Sequence, residues 1–570
     1  MNTNMKSIQE NKVHDGDRYN YNNINDSINN SNSNSNNNSL YPYGLLNNPF
    51  PSSPTPTLHN SKVLGGKRHR EARDAIINCI NDLYSKISED HNNSIDGFRV
   101  ITVVQDIGTG KTHLALHIKS MVNNAVCSYL DLSTISPKTL QGLFAGLLKG
   151  FTQDYLVELR SKIINYIKHS ALQGNKYARK FFRASFFNNN IEKLAREVSN
   201  GSRYPDIRYL GDIFGGYNNY EVSLIRKIIN DEFYNVNDIT SLEEMLAVLD
   251  AIASINMKFL NKLTLLEIDE FDSNTDSMDF VKALINAHTR STILLLITTP
   301  SIYDTIRSGN PSLFDRLEKA NYKIDLVGSS TFDEVVDIAL EYIRANVKDI
   351  TFNIYEHDLA VKIKVIYDEF VEFRNIRSLL NILYHAMESA KFRNEQVLTE
   401  DAIEDAIRHA YPGLRVKGSI MNIPIAEFMR IRREYNANDV EGVVKQAVKN
   451  LLTLLQEHGK VSGVEYDVPI NGVSADALYF DSNMKRSMVI VMLNKDYVSM
   501  KDLYHEGMSV DRLLVLNNSG INSSNGLSIV NLDKRKIVDL IYFNQKYSKK
   551  EISDLDIEKA LLLARSILLY

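Results

Sequence analysis

Apolar residues recur at helical spacing at Ile76, Ile77, Ile80 and Leu83, and this predicts an amphipathic helix in the segment that opens KRHREARDAI at Lys67. The pattern then changes to a short unbroken apolar run, FRVITVV from Phe98, which predicts a buried strand. Helical spacing resumes in HLALHIKSMV from His113. Further strands are expected at SYLDLS (128–133), LTLLEIDEFDS (263–273) and STILLLITTP (291–300), with mostly helical stretches at 135–260 and 332–410. Strands alternating with helices define an α/β fold with a parallel, doubly wound sheet. Beyond a Gly/Pro-containing joint at 411–424, a helix at 439–458 leads into GVEYDVPI, SADALYF, SMVIVML, a helix at about 498–508, DRLLVLNN and LSIVNL. That order predicts a second α/β region reaching Tyr570.

Residues 1–60 break this texture. NNSNSNSNNNS at 29–39 and the Pro-containing stretch after it hold too little apolar surface to offset the entropy of ordering. A disordered tether is expected there, with a binding arm as the alternative. The expected organisation is a tail at 1–60, an α/β domain at 61–330 carrying a helical insert at about 135–260, a helical lid at 331–410, a linker at 411–438 and a C-terminal module at 439–570. Of the 570 residues 44% are hydrophobic, and the net charge is −5. A nucleic-acid surface therefore has to be a local patch. Two cysteines, Cys79 and Cys127, exclude a cysteine-based metal or disulfide framework and suit a reducing, cytoplasmic setting. No apolar run approaches the roughly 20 residues a bilayer requires, and no signal-peptide pattern opens the chain.

Between the first strand and the next helix lies QDIGTGKT. A phosphate-binding loop works because successive backbone N–H groups and a helix N-terminus converge on phosphate oxygens. Gly108 and Gly110 permit the tight wrap, Lys111 reaches the β/γ-phosphates, and Thr112 offers a hydroxyl to Mg²⁺; Thr109 and His113 flank them. The customary first glycine is Gln105 here. That glycine eases the turn and carries no charge, so a working variant loop is expected. Asp269 and Glu270 end the apolar strand LLEIDE, where one acid holds Mg²⁺ and its neighbour polarises the attacking water.

GTGKT, LLEIDE, LLLITTP and RNIRSLLNIL together resemble the Walker A, Walker B, sensor 1 and sensor 2 elements of AAA+ ATPases, and KRHREARDAI is similar to the helix before the loop in the Orc/Cdc6-like and transposition-regulator branch. The resemblance spans about 65–410. It implies ATP and Mg²⁺ as cofactors, hydrolysis of ATP, and self-association as a homo-oligomer. It also implies that Thr298 or, preferred, Thr299 contacts the attacking water or γ-phosphate. Arg316 in PSLFDRLEKA is then the finger completing a neighbour's site in trans, with Arg307 its rival. Arg377 is the lid arginine at the γ-phosphate, with Arg374 its rival. The separation of 157 residues from Thr112 to Asp269 exceeds what the family core needs. The enlargement resembles that of ATPases in some prokaryotic defence systems.

Within the insert, RSKIINYIKHSALQGNKYARKFFRASFF (160–187) carries Arg160, Lys162, Lys176, Arg179, Lys180 and Arg183 and no acid. Interleaved aromatics make this either a DNA-contacting surface or an amphipathic helix with a solvated basic face; packed aromatics and outward cations satisfy both. The C-terminal order resembles the restriction-endonuclease-like PD-(D/E)xK fold, in which acids and a lysine on adjacent strands bind Mg²⁺. Asp476 stands where the first acid belongs, but Met492 and Asn494 occupy the places of the second acid and the lysine. Lys495 is next door, and a one-residue slip along a strand points to the opposite face. The module is expected to lack cleavage activity, to bind DNA or a protein partner, and to be separable from the ATPase. Two other functions compete with a DNA-associated ATPase of initiator, transposition or mobile-element, or defence type: a STAND-type signalling ATPase with a protein-binding module, and an ATP-dependent nuclease.

Overall fold

The structure, a computed structural model, describes residues 40–53, 56, 61–89, 97–185, 190–236, 238–328, 331–347, 355–437, 440–470, 473–494, 510–519 and 528–568. The first sheet unit runs α1 (Lys67–Glu89), β1 (Phe98–Val104), α2 (Lys111–Met121) and β2 (Ala125–Asp131). The insert follows as α3 (Leu140–Gly150), α4 (Gln153–Leu172), α5 (Lys176–Phe181), α6 (Ile191–Ser199), α7 (Leu210–Ile213), α8 (Asn219–Ile229) and α9 (Leu242–Ile255). The chain returns to the sheet with β3 (Leu263–Asp269), α10 (Thr275–Ala287), β4 (Thr292–Thr298), α11 (Pro300–Gly309), α12 (Pro311–Glu318) and β5 (Tyr322–Asp325). All five strands are parallel in the order β2-β3-β4-β1-β5. Because β4 lies between β1 and β3, the loop after β1 and the acids after β3 emerge at one edge, on either side of the end of β4, where ligands of open parallel sheets bind.

β3 and β4 are buried at every position, as expected for strands covered on both faces. The pleat divides them between two cores. Ile101, Val103, Leu263, Leu265, Ile293 and Leu295 face α1 and α2, while Val100, Val104, Leu266, Ile268, Leu294 and Leu296 face the insert. The insert is therefore the layer that covers one face of the sheet. Capping boxes at Asn218/Glu221 and Ser241/Glu244 open α8 and α9. β5 carries no apolar pattern because its side chains are mostly exposed.

The lid comprises α13 (Phe332–Arg344), α14 (Glu356–Glu369), α15 (Ile376–Phe392) and α16 (Glu400–Ala410). The expected linker is a packed bridge. Val416, Met421 and Ile423 are buried, and α17 (Ile425–Ala437) buries Ile425, Phe428, Met429 and Ile431 in the same core as the lid. α18 (Val440–Glu457) then leads to β6 (Ser462–Ile470), β7 (Val473–Phe480), β8 (Arg486–Val491), β9 (Arg512–Asn517) and β10 (Ser528–Asn531), closed by α19 (Lys534–Lys549) and α20 (Asp554–Leu568). The sheet order is β10-β9-β8-β7-β6, antiparallel among β6, β7 and β8 and parallel among β8, β9 and β10. The helix expected at 498–508 lies outside the described residues.

The expected tether also departs from its reading. Leu45 and Phe50 are buried against the lid. Tyr41 donates to Glu388 and Asn48 to both Tyr384 O and Glu388 on α15. Two apolar residues and two polar anchors suffice to seat this stretch, although its composition is loop-like. Residues 1–39 lie outside the described residues. No helix among the described residues is long and apolar enough to cross a membrane.

Candidate nucleotide site and adjoining surfaces

β1 ends at Val104, and the chain turns through Gln105–Gly110 into α2. Gly108 and Gly110 sit at φ 78° and 108°, left-handed conformations that strain any residue with a Cβ. Lys111, the first residue of α2, is buried, with Nζ 3.4 Å from the Asp106 carbonyl and 3.6 Å from Glu270 Oε1. Thr112 Oγ1 donates to Asp269 Oδ2 at 2.7 Å. The same oxygen accepts Tyr129 OH from β2 at 3.0 Å, and Oδ1 accepts the N–H of Glu270. Burial raises the Asp269 carboxyl above its ordinary range against these hydrogen bonds. Glu270 itself sits at φ 52°, a left-handed conformation uncommon for a non-glycine residue and costly unless its surroundings hold it.

These elements border an open cleft between the sheet edge and the lid. Gly108, Thr109, Gly110, Lys111, Thr112 and His113 line it from the loop, Glu270 from β3, Tyr342 and Arg377 from the lid, and Pro51 and Pro56 from the N-terminal stretch. His113 is kept neutral by burial, which lowers its pKa, so its Nε2–H donates to Val63 O at 2.6 Å. Arg377 is exposed and makes no hydrogen bond or ion pair among the described residues, whereas its rival Arg374 is spent on the carbonyls of Tyr367 and Asp368. Thr299 is not brought to the cleft wall. Its hydroxyl accepts the N–H of Ile302 at the start of α11, and Thr298 donates to Phe271 O. Arg316 on α12 has no hydrogen-bonding or ionic partner among the described residues; Arg307 lies over the Phe314 ring.

In the insert the aromatics and cations separate. Phe181 and Phe182 are fully buried, while Lys162, Lys176, Lys180 and Arg183 are exposed. Lys180 lies over Tyr209, Arg160 pairs with Asp231 at 2.8 Å, and Arg179 is half-buried. Phe186 and Phe187 lie outside the described residues.

In the C-terminal module Asp476 is buried, with Oδ2 accepting the N–H of Val491 at 2.7 Å. Its other oxygen faces Lys445 Nζ on α18 at 3.6 Å, and Lys445 also contacts Glu441 Oε1 at 2.9 Å. Glu441 in turn accepts the N–H of Leu493. Burial raises the Asp476 carboxyl; Lys445 stays above its ordinary range because Glu441 and Asp476 outweigh its own burial. Asn494 is left-handed and hydrogen-bonded to Asn518, and Lys495 lies outside the described residues. Sequence reasoning missed Glu441 and Lys445, whose only signal is their i, i+4 spacing on one helix face, and Tyr129, whose only signal is its place within an expected strand.

No family model matches the chain, and no curated protein matches it. Among solved structures it is similar to that of the Aeropyrum pernix ORC2 protein in ADPNP–ADP complexes, at 12% identity and a TM-score of 0.37, covering 70% of this chain and 78% of that one. A likeness that distant bears no weight for function, which rests on the site.

Proposed function

We propose that this chain is an AAA+ type ATPase that binds and hydrolyses ATP and acts on DNA as an oligomer, of initiator, transposition-regulator or defence type. The observation that carries the reading is the meeting of Lys111, Thr112, Asp269 and Glu270 at one edge of a parallel sheet, opposite the unpaired Arg377. Lys111 holds β/γ-phosphate oxygens, and the N–H groups of the loop surround them. The oxygen donors of Thr112 and Asp269 suit Mg²⁺, which neutralises phosphate charge when bound. Glu270 accepts the proton of the attacking water as the water oxygen bonds to the γ-phosphorus and the bond to the β–γ bridging oxygen breaks. Arg377 from the lid, and Arg316 from a neighbouring copy, stabilise the charge on the transferred phosphoryl group. The exposed cations of α4 and α5 offer phosphate contacts to DNA.

The C-terminal module serves as a non-catalytic nuclease-like domain in this reading. The Lys445 ammonium bridges Glu441 and Asp476, so a resident cation already faces both carboxylates, and Asp476 also holds the β8 backbone. We expect no Mg²⁺- or Mn²⁺-dependent cleavage of duplex, branched or single-stranded DNA; cleavage that vanishes in Asp476→Ala would reverse this assignment. The central experiment is ATP hydrolysis with and without duplex DNA, with oligomeric state measured in parallel. Turnover that rises with DNA and with assembly is expected, and a monomer that neither binds nor hydrolyses ATP defeats the proposal.

A further inference from the structure

The segment KRHREARDAI and the glutamine at the head of the loop meet in the structure. Gln105 is fully buried, with Nε2 3.0 Å from the Thr109 carbonyl oxygen and 2.9 Å from His69 Nε2. His69, on α1, places the same Nε2 3.0 Å from that carbonyl, and its Nδ1 lies 2.9 Å from Oε1 of Glu334 on the first lid helix, α13. Burial works to raise the Glu334 carboxyl, but hydrogen bonds from His69 and from the N–H groups of Arg68 and His69 hold it below its ordinary range. Gly66 permits this approach, since a Cβ there would meet Glu334 Oε1 at 2.3 Å.

A carboxylate facing Nδ1 makes Nδ1 the protonated ring nitrogen, and Nε2 is left to face the loop. In the neutral ring Nε2 accepts one N–H of the Gln105 amide, whose other N–H holds the Thr109 carbonyl. In the doubly protonated ring Nε2–H and the Gln105 amide N–H both donate to that carbonyl, which has two lone pairs. In both states the carbonyl is anchored. The peptide is planar and trans, so the N–H of Gly110 points opposite to the Thr109 carbonyl. Drawing that carbonyl toward His69 and Gln105 aims the Gly110 N–H the other way. A glycine at 105 has no side chain with which to do this.

We propose that Gln105 and His69 are positioning residues: they fix the Thr109–Gly110 peptide so that its N–H faces phosphate, and through Glu334 they make that fixation depend on the lid. The inference rests on the nucleotide reading of the cleft. ATP and ADP binding to the full-length protein would be measured by calorimetry for wild type, Lys111→Ala, Gln105→Gly, His69→Asn, His69→Gln and the double variant Gln105→Gly/His69→Asn, each with a thermal melt. Asparagine keeps an amide nitrogen near the Nδ1 position toward Glu334 and loses the loop. Glutamine keeps the Nε2 position and loses Glu334.

Gln105→Gly and His69→Asn are each expected to weaken ATP binding about tenfold. The double variant is expected to be no weaker than the weaker single, because both act on one carbonyl. His69→Gln should bind within about threefold of wild type, yet lose the ATP-dependent protection of α13 amides from exchange that wild type shows. Additive losses that follow melting temperature, or unchanged affinity in Gln105→Gly and His69→Asn, overturn the positioning role while leaving the nucleotide site standing. Protection of α13 retained in His69→Gln overturns the lid link. A wild type that binds neither nucleotide, with Lys111→Ala indistinguishable from it, overturns the nucleotide reading itself.

Discussion

Glu267 precedes Asp269 by two residues on β3, so its side chain shares that face of the sheet. It is fully buried, and neither carboxylate oxygen has a hydrogen-bond partner among the described residues. Burial pushes its pKa from 4.5 up to about 8, with Lys119 pulling down and Asp269 adding to the rise. Below about pH 4.5 folded and unfolded chains both hold this proton and its contribution is fully present. As pH rises toward 8 the unfolded chain releases the proton and the folded chain keeps it, so stability falls by at most about 1.4 kcal/mol per pH unit. Glu267→Gln removes this titration, and its melting temperature should gain on wild type steadily between pH 5 and 8. Parallel melting curves across that range would mean that the carboxyl is not held protonated. At the same edge, Lys111→Ala should weaken nucleotide binding by about 50-fold or more. Glu270→Gln should leave binding intact and slow hydrolysis by about 10²- to 10⁴-fold. Single-turnover hydrolysis beside equilibrium binding separates the two.

Among the elements, the insert has the plainest division of labour. α4 and α5 bury Ile163, Ile167, Ala178 and Phe181 in the core that covers the sheet and leave Lys176 and Lys180 in solvent. Replacing Lys176, Lys180 and Arg183 with Ala should therefore cost little stability. It should weaken DNA binding across sequences, with the slope of log affinity against log salt flattened by up to about three units. An unchanged slope assigns these cations to a solvated face. The loop and its acids were legible in the sequence because Gly108, Gly110, Lys111, Thr112, Asp269 and Glu270 carry their chemistry in local order after apolar runs. β5 was not legible, since an exposed edge strand needs no apolar pattern. Residues 411–438 looked like a joint because Pro412, Gly413, Gly418 and Pro424 punctuate them, yet Asp539, distant in sequence, holds Ser419, Ile420 and Met421 in place. Lys445 and His69 were missed for the same reason: their partners, Asp476 and Glu334, come near only after the sheet and the lid have folded.

At the scale of the whole molecule, the C-terminal module is not an appendage. One hydrophobic core runs from Leu45 and Phe50 through lid residues Ile363, Leu379 and Leu383, across Ile425 and Phe428 of the bridge, into Val448, Leu452, Phe543 and Leu563. Ion pairs follow the same path: Arg432 with Glu369, Arg433 with Asp401 and Glu404, while Arg430 donates to Gln545 on α19. Truncation at 438 would uncover the faces of α17 and the lid that these residues fill, and a lid with a large exposed apolar face is prone to aggregate or loosen. The lid carries Arg377, which in the proposed mechanism faces the transferred phosphoryl group, and Glu334, which acts on the nucleotide loop through His69. A protein ending at 438 is therefore expected to lose ATP affinity and cooperative melting together, while Asp476→Asn, which leaves the core in place, retains both. Should the truncated chain melt as sharply as wild type and bind ATP equally well, the module is an independent unit and the lid owes it nothing.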